Sequence, residues 1–355
     1  MSTPIDNEET VEKLPAPANF VHLRVHSEFS LIDGIVRIKD LIKSAAGNHM
    51  PAIGLTDQSN MYALVKFYKA ALGAGIKPII GSDIWLENEE EPESPFRVTL
   101  LAQNKDGYRH VTEIISQAYS HYQFDDKAIV RKEWLFEKSA GVIVLSGFRD
   151  GDIGQQIIKG NLDVAEALLA DYQEKLGDRF YLELQRTGRE NEELVLNASL
   201  MLASKLNVPV VATNDVRFIN QDDFEAHETR VCIGESYALA DKRRIKRYSD
   251  QQYFRTPEEM IELFSDIPSA IENTLEIAKR CSVEVELGTY YLPDFPIPEG
   301  LTEAEFFRKI SYEGLDERLE VILKPEQTDY EERKKEYYDR LKFELDIIID
   351  MGFPG

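Results

Sequence analysis

Cysteine is nearly absent from this chain: Cys232 and Cys281 are the only two in 355 residues, and no CxxC spacing occurs. That excludes a disulfide framework and fits a reducing cytoplasm. Nor does any apolar run approach the roughly 20 residues needed to cross a bilayer, so no membrane span is expected. Positive charge is in short supply, with 41 Lys and Arg against 64 Asp and Glu and a net charge of -23. A surface so acidic cannot serve as a nucleic-acid platform as a whole, and any DNA contact must be local. Residues 1–19 are acidic, contain proline and lack an apolar core. They read as a mobile tail and exclude a signal peptide.

What the chain does contain is 43% hydrophobic residues, enough for a large core. From Phe20 to about Thr213, short β-branched runs alternate with amphipathic segments. Strands are predicted at 21–26, 52–56, 78–84, 97–102, 142–146, 180–185 and 209–213, and helices at 37–47, 60–73, 107–120, 163–176 and 190–206. This alternation predicts an α/β fold with a parallel sheet, and about seven units predict closure into a barrel. The acidic stretch Glu87 to Glu93 reads as a solvated turn without a helix, which makes the barrel irregular there. Thr256-Pro-Glu-Glu is a helix start, with helices expected at 257–265 and 268–281. The Pro-rich segment 292–300 reads as an extended linker. Two charged helices at about 302–324 and 330–350 follow, and Met351 to Gly355 reads as a turn leading onward, as in a piece of a longer protein.

Chemistry in such barrels sits at the C-terminal strand ends. The polar residues there are His26, Asp57 with Gln58, Asp83, Ser146, Gln185, and Asp215 with Arg217. Alternation along a strand places His22, Arg24 and His26 on one face. Arg24 and Arg217 stand where histidine would suit a metal cleft, and a guanidinium has no lone pair to offer an ion. Structural alternatives accompany these readings. Asp33-Gly34 is equally a turn pair, Asp57 is equally a helix N-cap, and His227 suits a helix packing surface. The run Lys242, Arg243, Arg244, Lys246 and Arg247 is the most basic patch. It is either a solvated loop or a salt-dependent contact with DNA phosphate.

The stretches FVHLRVHSEFSLIDG (20–34), GLTDQSNMYALVKFYKAALGAGIKPIIGSD (54–83), PVVATNDVRFINQDDFEAHE (209–228) and YLPDFPIPEG (291–300) resemble the alpha subunits of bacterial replicative polymerases, the DNA polymerase III alpha family. The resemblance covers nearly everything after the tail. It implies a polymerase-and-histidinol-phosphatase (PHP) domain over 20–283, a distorted (β/α)7 barrel, followed over 284–355 by a linker and the start of the polymerase palm in a mostly helical extension. It also implies that the palm aspartates, the Mg2+ they use and most DNA contacts lie outside this stretch. So would the surfaces for other replicase subunits, while the PHP domain would dock the proofreading exonuclease (epsilon) subunit.

Active PHP relatives build a trinuclear metal cluster. Against that pattern His26, Asp33 and Asp215 match expected ligands, and Asp83 is a shortened version of an expected glutamate. Arg24, Gln58, Arg97 and Arg217 stand at histidine positions, and Phe148 stands at a cysteine position. Asp57 belongs to the same vestigial cleft. The expectation is an inactive barrel without a metal cofactor, its arginines replacing metal ions as the positive charge among the carboxylates. The alternative is a live metal-dependent phosphoesterase acting as a 3'-5' exonuclease or pyrophosphatase. A stand-alone phosphatase similar to histidinol phosphatase is disfavoured by the extension after 283.

Overall fold

The computed structural model describes residues 19–289 and 295–355. They form two compact units that divide between Val285 and Glu286. Residues 1–18 of the tail expected over 1–19, and part of the expected linker, 290–294, lie outside the described residues.

The first unit is built on eight strands: β1 (Ala52–Leu55), β2 (Lys77–Leu86), β3 (Phe96–Ala102), β4 (Gln123–Phe124), β5 (Lys127–Val130), β6 (Val142–Leu145), β7 (Phe180–Leu184) and β8 (Val210–Ala212). Their order is β4-β5-β2-β3-β6-β7-β8, with β1 also paired to β2. The expected parallel sheet is corrected at β3 and at the short β4, which runs antiparallel to β5. β3 runs antiparallel to both β2 and β6, because the acidic turn after β2 has no helix to carry the chain back across the sheet. The remaining barrel neighbours, β1–β2, β6–β7 and β7–β8, are parallel.

The segment 22–26 closes the ring. On one side Gly54 N donates to His22 O (2.7 Å) and Thr56 N to Val25 O (2.9 Å). On the other, Val216 N donates to Arg24 O (3.2 Å) and His26 N to Val216 O (2.9 Å). This first segment, β1, β2, β3, β6, β7 and the β8 stretch therefore make seven staves. Gly54 is required for the approach, since a Cβ there would stand 2.5 Å from Leu23 O.

The first segment is not a regular strand, as the sequence predicts, but one interrupted by a bulge. A step of two residues along β1 and its continuation, from 54 to 56, is matched by a step of three along the segment, from 22 to 25. An extra residue reverses the facing of all side chains before it. Val21 and Leu23 accordingly join an interior cluster with Ile79, Leu101, Ile143, Leu145, Tyr181 and Val211. His22 turns outward instead.

The same alternation that fills one end of the barrel with apolar side chains lines the other with polar ones. Ile79 is followed on its face by Asp83, Tyr181 by Glu183 and Gln185, and Val211 by Thr213 and Asp215, all buried. On antiparallel β3 the order is reversed, so Arg97 and Thr99 reach the polar end from the start of the strand.

Helices pack outside. In α1 (Ile38–Gly47) the buried residues Ile38, Leu41, Ile42 and Ala45 follow the helical period. The other expected helices appear as α2 (Leu64–Gly73), α3 (Lys105–His121), α6 (Leu162–Leu176), α7 (Glu192–Leu206), α9 (Pro257–Leu263) and α10 (Pro268–Arg280). The capping box at Thr256 forms, with Glu259 N donating to Thr256 Oγ1 at 3.2 Å. Three short helices were not foreseen: α4 (Lys132–Glu137), α5 (Asp152–Ile158) and α8 (Phe224–Gly234). The second unit contains α11 (Glu303–Ile322) and α12 (Tyr330–Asp350), paired through Arg308 and Asp346 at 2.5 Å. Among the described residues no helix is long and apolar enough to cross a membrane.

Candidate functional site: a buried arginine–carboxylate cleft

Arg24, just past the bulge, is fully buried and reaches three acids. Its Nη2 and Nε donate to Asp83 Oδ2 at 2.6 and 2.9 Å, and its Nη1 donates to both oxygens of Glu183 at 3.2 Å. Asp215 Oδ1 lies 3.2 Å from its Nε. Arg217, also fully buried, spans Asp33 Oδ2 and Asp215 Oδ1, each at 2.6 Å. Arg97 contacts Asp33 Oδ2 at 2.7 Å, bonds Gln58 Oε1, and stacks on Trp85 with its guanidinium 4.7 Å from the ring centre. His26 sits between Asp33 and Asp83, its Nδ1 3.1 Å from Asp33 Oδ1 and its Nε2 2.9 Å from Asp83 Oδ2. Three guanidinium groups thus face four carboxylates in direct contact.

Burial alone would push the acids up and the arginines down. The opposite charges win. Burial is overcome at Asp33 by Arg217, His26 and Arg97, at Asp83 by Arg24 and His26, and at Asp215 by Arg217 and Arg24, so all three carboxyls titrate below the ordinary range. Arg24 and Arg97 are likewise held above theirs by the neighbouring carboxylates, against burial.

Of the residues expected in the cleft, Arg24, His26, Asp33, Gln58, Asp83, Arg97, Asp215 and Arg217 are brought together. Asp57 borders them in a different role. It accepts from Ser27 N (2.6 Å), Ser27 Oγ (2.8 Å) and Ser30 Oγ (2.7 Å), and burial raises its pKa despite His26 and those bonds. It is not the N-cap of the next helix, since α2 starts at Leu64 with Ala63 at the cap. Phe148 is buried in the apolar core behind a left-handed Gly147.

His22 is the clear correction. The bulge aims it between Phe20 and Phe254, and its Nε2 pairs with Arg255 O at 2.9 Å. Burial lowers its pKa to about 4. His227 is buried on α8, its Nε2 3.2 Å from Asp33 O, so it holds the cleft loop rather than facing only other helices.

Sequence reasoning missed four participants. Glu183 could have been found, because it is a charge inside the otherwise apolar strand FYLEL and shares a face with Gln185. Arg189 carries a fourth buried guanidinium, joined to Asp150 (2.9 Å), Glu192 (3.3 Å) and Gln185 (2.6 Å). Tyr248 closes the cleft from a following loop, donating to Asp33 Oδ2 at 3.2 Å, and Gln252 donates to Asp215 Oδ2 at 2.8 Å. No local pattern marks those loop residues.

In the basic run, three arginines already have acidic neighbours: Arg243 with Asp241 (2.7 Å), Arg244 with Glu228 (2.7 Å), and Arg247 with Glu235. Lys242 and Lys246 have no ion pair among the described residues.

One trio could each offer an atom to a metal ion: His26, Asp83 and Asp215, whose donor atoms lie within 4.8 Å of one another. Every one is committed elsewhere. His26 Nδ1 is 2.7 Å from Arg217 Nη1, Asp83 Oδ2 takes two bonds from Arg24, and Asp215 Oδ1 lies against both arginines.

Residues 22–187 match the family model described as the PHP domain. That stretch has a PHP-like α/β fold. The chain is 57% identical over 341 residues to the DNA polymerase III subunit alpha of Pseudomonas fluorescens, covering 96% of this chain and 29% of that protein. Against the subunit of the same name from Escherichia coli it is 48% identical, covering 95% of this chain and again 29% of the relative. The chain therefore spans well under a third of the length of these relatives. Among solved structures it is similar to an amidohydrolase from Chromobacterium violaceum, with 13% identity, a TM-score of 0.39, and coverage of 59% of this chain and 96% of that one. The PHP-type α/β barrel accounts for the cleft's position: parallel strands and one antiparallel strand deliver their polar residues to a single end.

Proposed function

We propose that this chain is the N-terminal part of a replicative DNA polymerase alpha subunit in which the PHP barrel supports the polymerase without hydrolysing phosphoesters. One observation carries the reading: guanidinium groups occupy the space and the carboxylates that a metal cluster would use. A divalent ion would have to displace Arg24 or Arg217, both permanently charged and fully buried. Moving such a cation off its partners without a solvent path costs several kcal/mol, on the order of 3–5 for a broken buried pair. The donor set therefore does not fit a multinuclear metal site, and no reaction step is assigned to one. Asp33, Asp83 and Asp215 serve as anchors for arginine.

Polymerisation, with the Mg2+ it needs and most of the DNA contacts, belongs in this reading to regions of the longer relatives outside this chain, as do contacts with other replicase subunits. The PHP barrel docks the proofreading exonuclease subunit, as the family resemblance implies. Elemental analysis of the purified chain, paired with a nuclease assay on single-stranded DNA in added Zn2+ or Mn2+, tests the inactive cleft. Substoichiometric metal and no cleavage are expected. Stoichiometric bound metal with cleavage abolished by Asp215→Asn would establish the live phosphoesterase instead. Copurification with the exonuclease subunit tests the docking.

A further inference from the structure

Two aliphatic side chains at the rim of the cleft stand in solvent, Leu31 at 58% exposure and Ile32 at 50%. The backbone holds them there under strain. Leu31 has φ 64° and ψ -59°, and Ile32 N bonds back to Ser30 O at 2.8 Å. That is the rare positive-φ form of the γ-turn, a conformation an L-residue keeps only when its surroundings impose it. The turn is tied to α8, where Arg230 donates to Leu31 O. Ile32 lies against the helix backbone, since a Cβ added at Gly234 would be 2.7 Å from its Cγ2. The adjoining Ile233 is 74% exposed. Leu31, Ile32 and Ile233 thus form one apolar crest beside the cleft.

Two lysines without ion pairs among the described residues lie beside α8, since the arginines of the basic loop are paired with Asp241, Glu228 and Glu235. The basic loop is fastened to α8 by Arg244 and Glu228 at 2.7 Å, which brings Lys242 and Lys246 to the same helix. Phosphate recognition needs the lysines but gives no use to three exposed aliphatic side chains. A protein segment uses both.

We propose that this crest is the docking surface of the PHP barrel, and that the segment it receives carries aliphatic side chains flanked by carboxylates. The inference rests on the exonuclease docking proposed above and gives it a location. Calorimetric titration of the full chain with the exonuclease subunit of the same organism tests it. Ile32→Asp and Ile233→Asp weaken binding at least about tenfold, as central apolar anchors do, with an unchanged thermal unfolding midpoint because both sites are exposed. Lys242→Glu with Lys246→Glu weakens binding less and flattens its salt dependence. Unaltered affinity in both aspartate variants, beside a wild-type chain that binds, overturns the location while leaving the docking intact. No binding by the wild-type chain overturns the docking itself. A chain that sediments as a dimer and is made monomeric by Ile233→Asp would show the crest to be a self-contact, which also refutes the proposal.

Discussion

Replacing Arg24 by methionine isolates the charge that holds the cleft together. Methionine is unbranched and flexible, so it can follow the course of the arginine stem, while Asp83, Glu183 and Asp215 are left buried without their shared cation. Each pair at about 4 Å is worth about 4 kcal/mol of Coulomb energy at an effective dielectric constant of about 20. Desolvation offsets part of that, and removing one partner of a buried pair costs about 3–5 kcal/mol in practice. With three carboxylates stranded, the upper end is expected, about 5 kcal/mol at pH 7. At about 2 °C per kcal/mol for a domain of this size, the midpoint falls by about 10 °C. Urea unfolding followed by circular dichroism measures the difference, and its pH dependence identifies the cause. In the variant the stranded acids take up protons more readily, so the deficit should narrow as pH falls from 7 towards 4.5. In the wild type Asp83 and Asp215 have depressed pKa values, and their contribution is lost only as pH falls below the ordinary carboxylate range. A variant within 1 kcal/mol of wild type, or a deficit that does not change with pH, would refute the view that Arg24 neutralises this cleft.

The outward His22 supplies a second pH signature. Its folded pKa of about 4 lies below the unfolded 6.5, so its contribution is complete above pH 6.5 and is lost as pH falls towards 4. That amounts to about 3 kcal/mol, and His22→Gln should remove this part of the slope in stability measured against pH. Gly147→Ala should destabilise by more than about 2 kcal/mol, because φ is +75° and a Cβ would stand 1.8 Å from Arg97 O. Gly160→Ala, with φ +81° but open space around it, should cost only the left-handed penalty of about 1–2 kcal/mol. Equal costs at the two glycines, in the same unfolding assay, would count against a tight approach of Gly147 to β3.

Most elements were legible because periodicity and capping are local. The Thr256 capping box and the apolar stripe of α1 are written within a few residues. Strand direction is not local. A turn of acidic residues joins β2 to β3 as readily as a helix would, and only the hydrogen-bonded register shows that β3 runs backwards. In the cleft, Arg24, Arg97 and Arg217 were readable as residues unable to ligate metal. Glu183 was also marked, as a lone charge inside β7, whereas Arg189, Tyr248 and Gln252 were not, since they arrive from loops distant in the chain. His22 was misplaced because counting by twos assumes an uninterrupted strand.

That interruption sets a limit on any attempt to install a histidine metal site here. With one surplus residue between His22 and Val25, the opening His-x-Arg-x-His sends only its last two members towards the acids. Installing imidazole at position 24 would give His26 a single companion on that stave, never two. A design aiming for three donors would first have to shorten the chain by one residue, trading His22's seat against Phe20 and Phe254 for a place at the polar end.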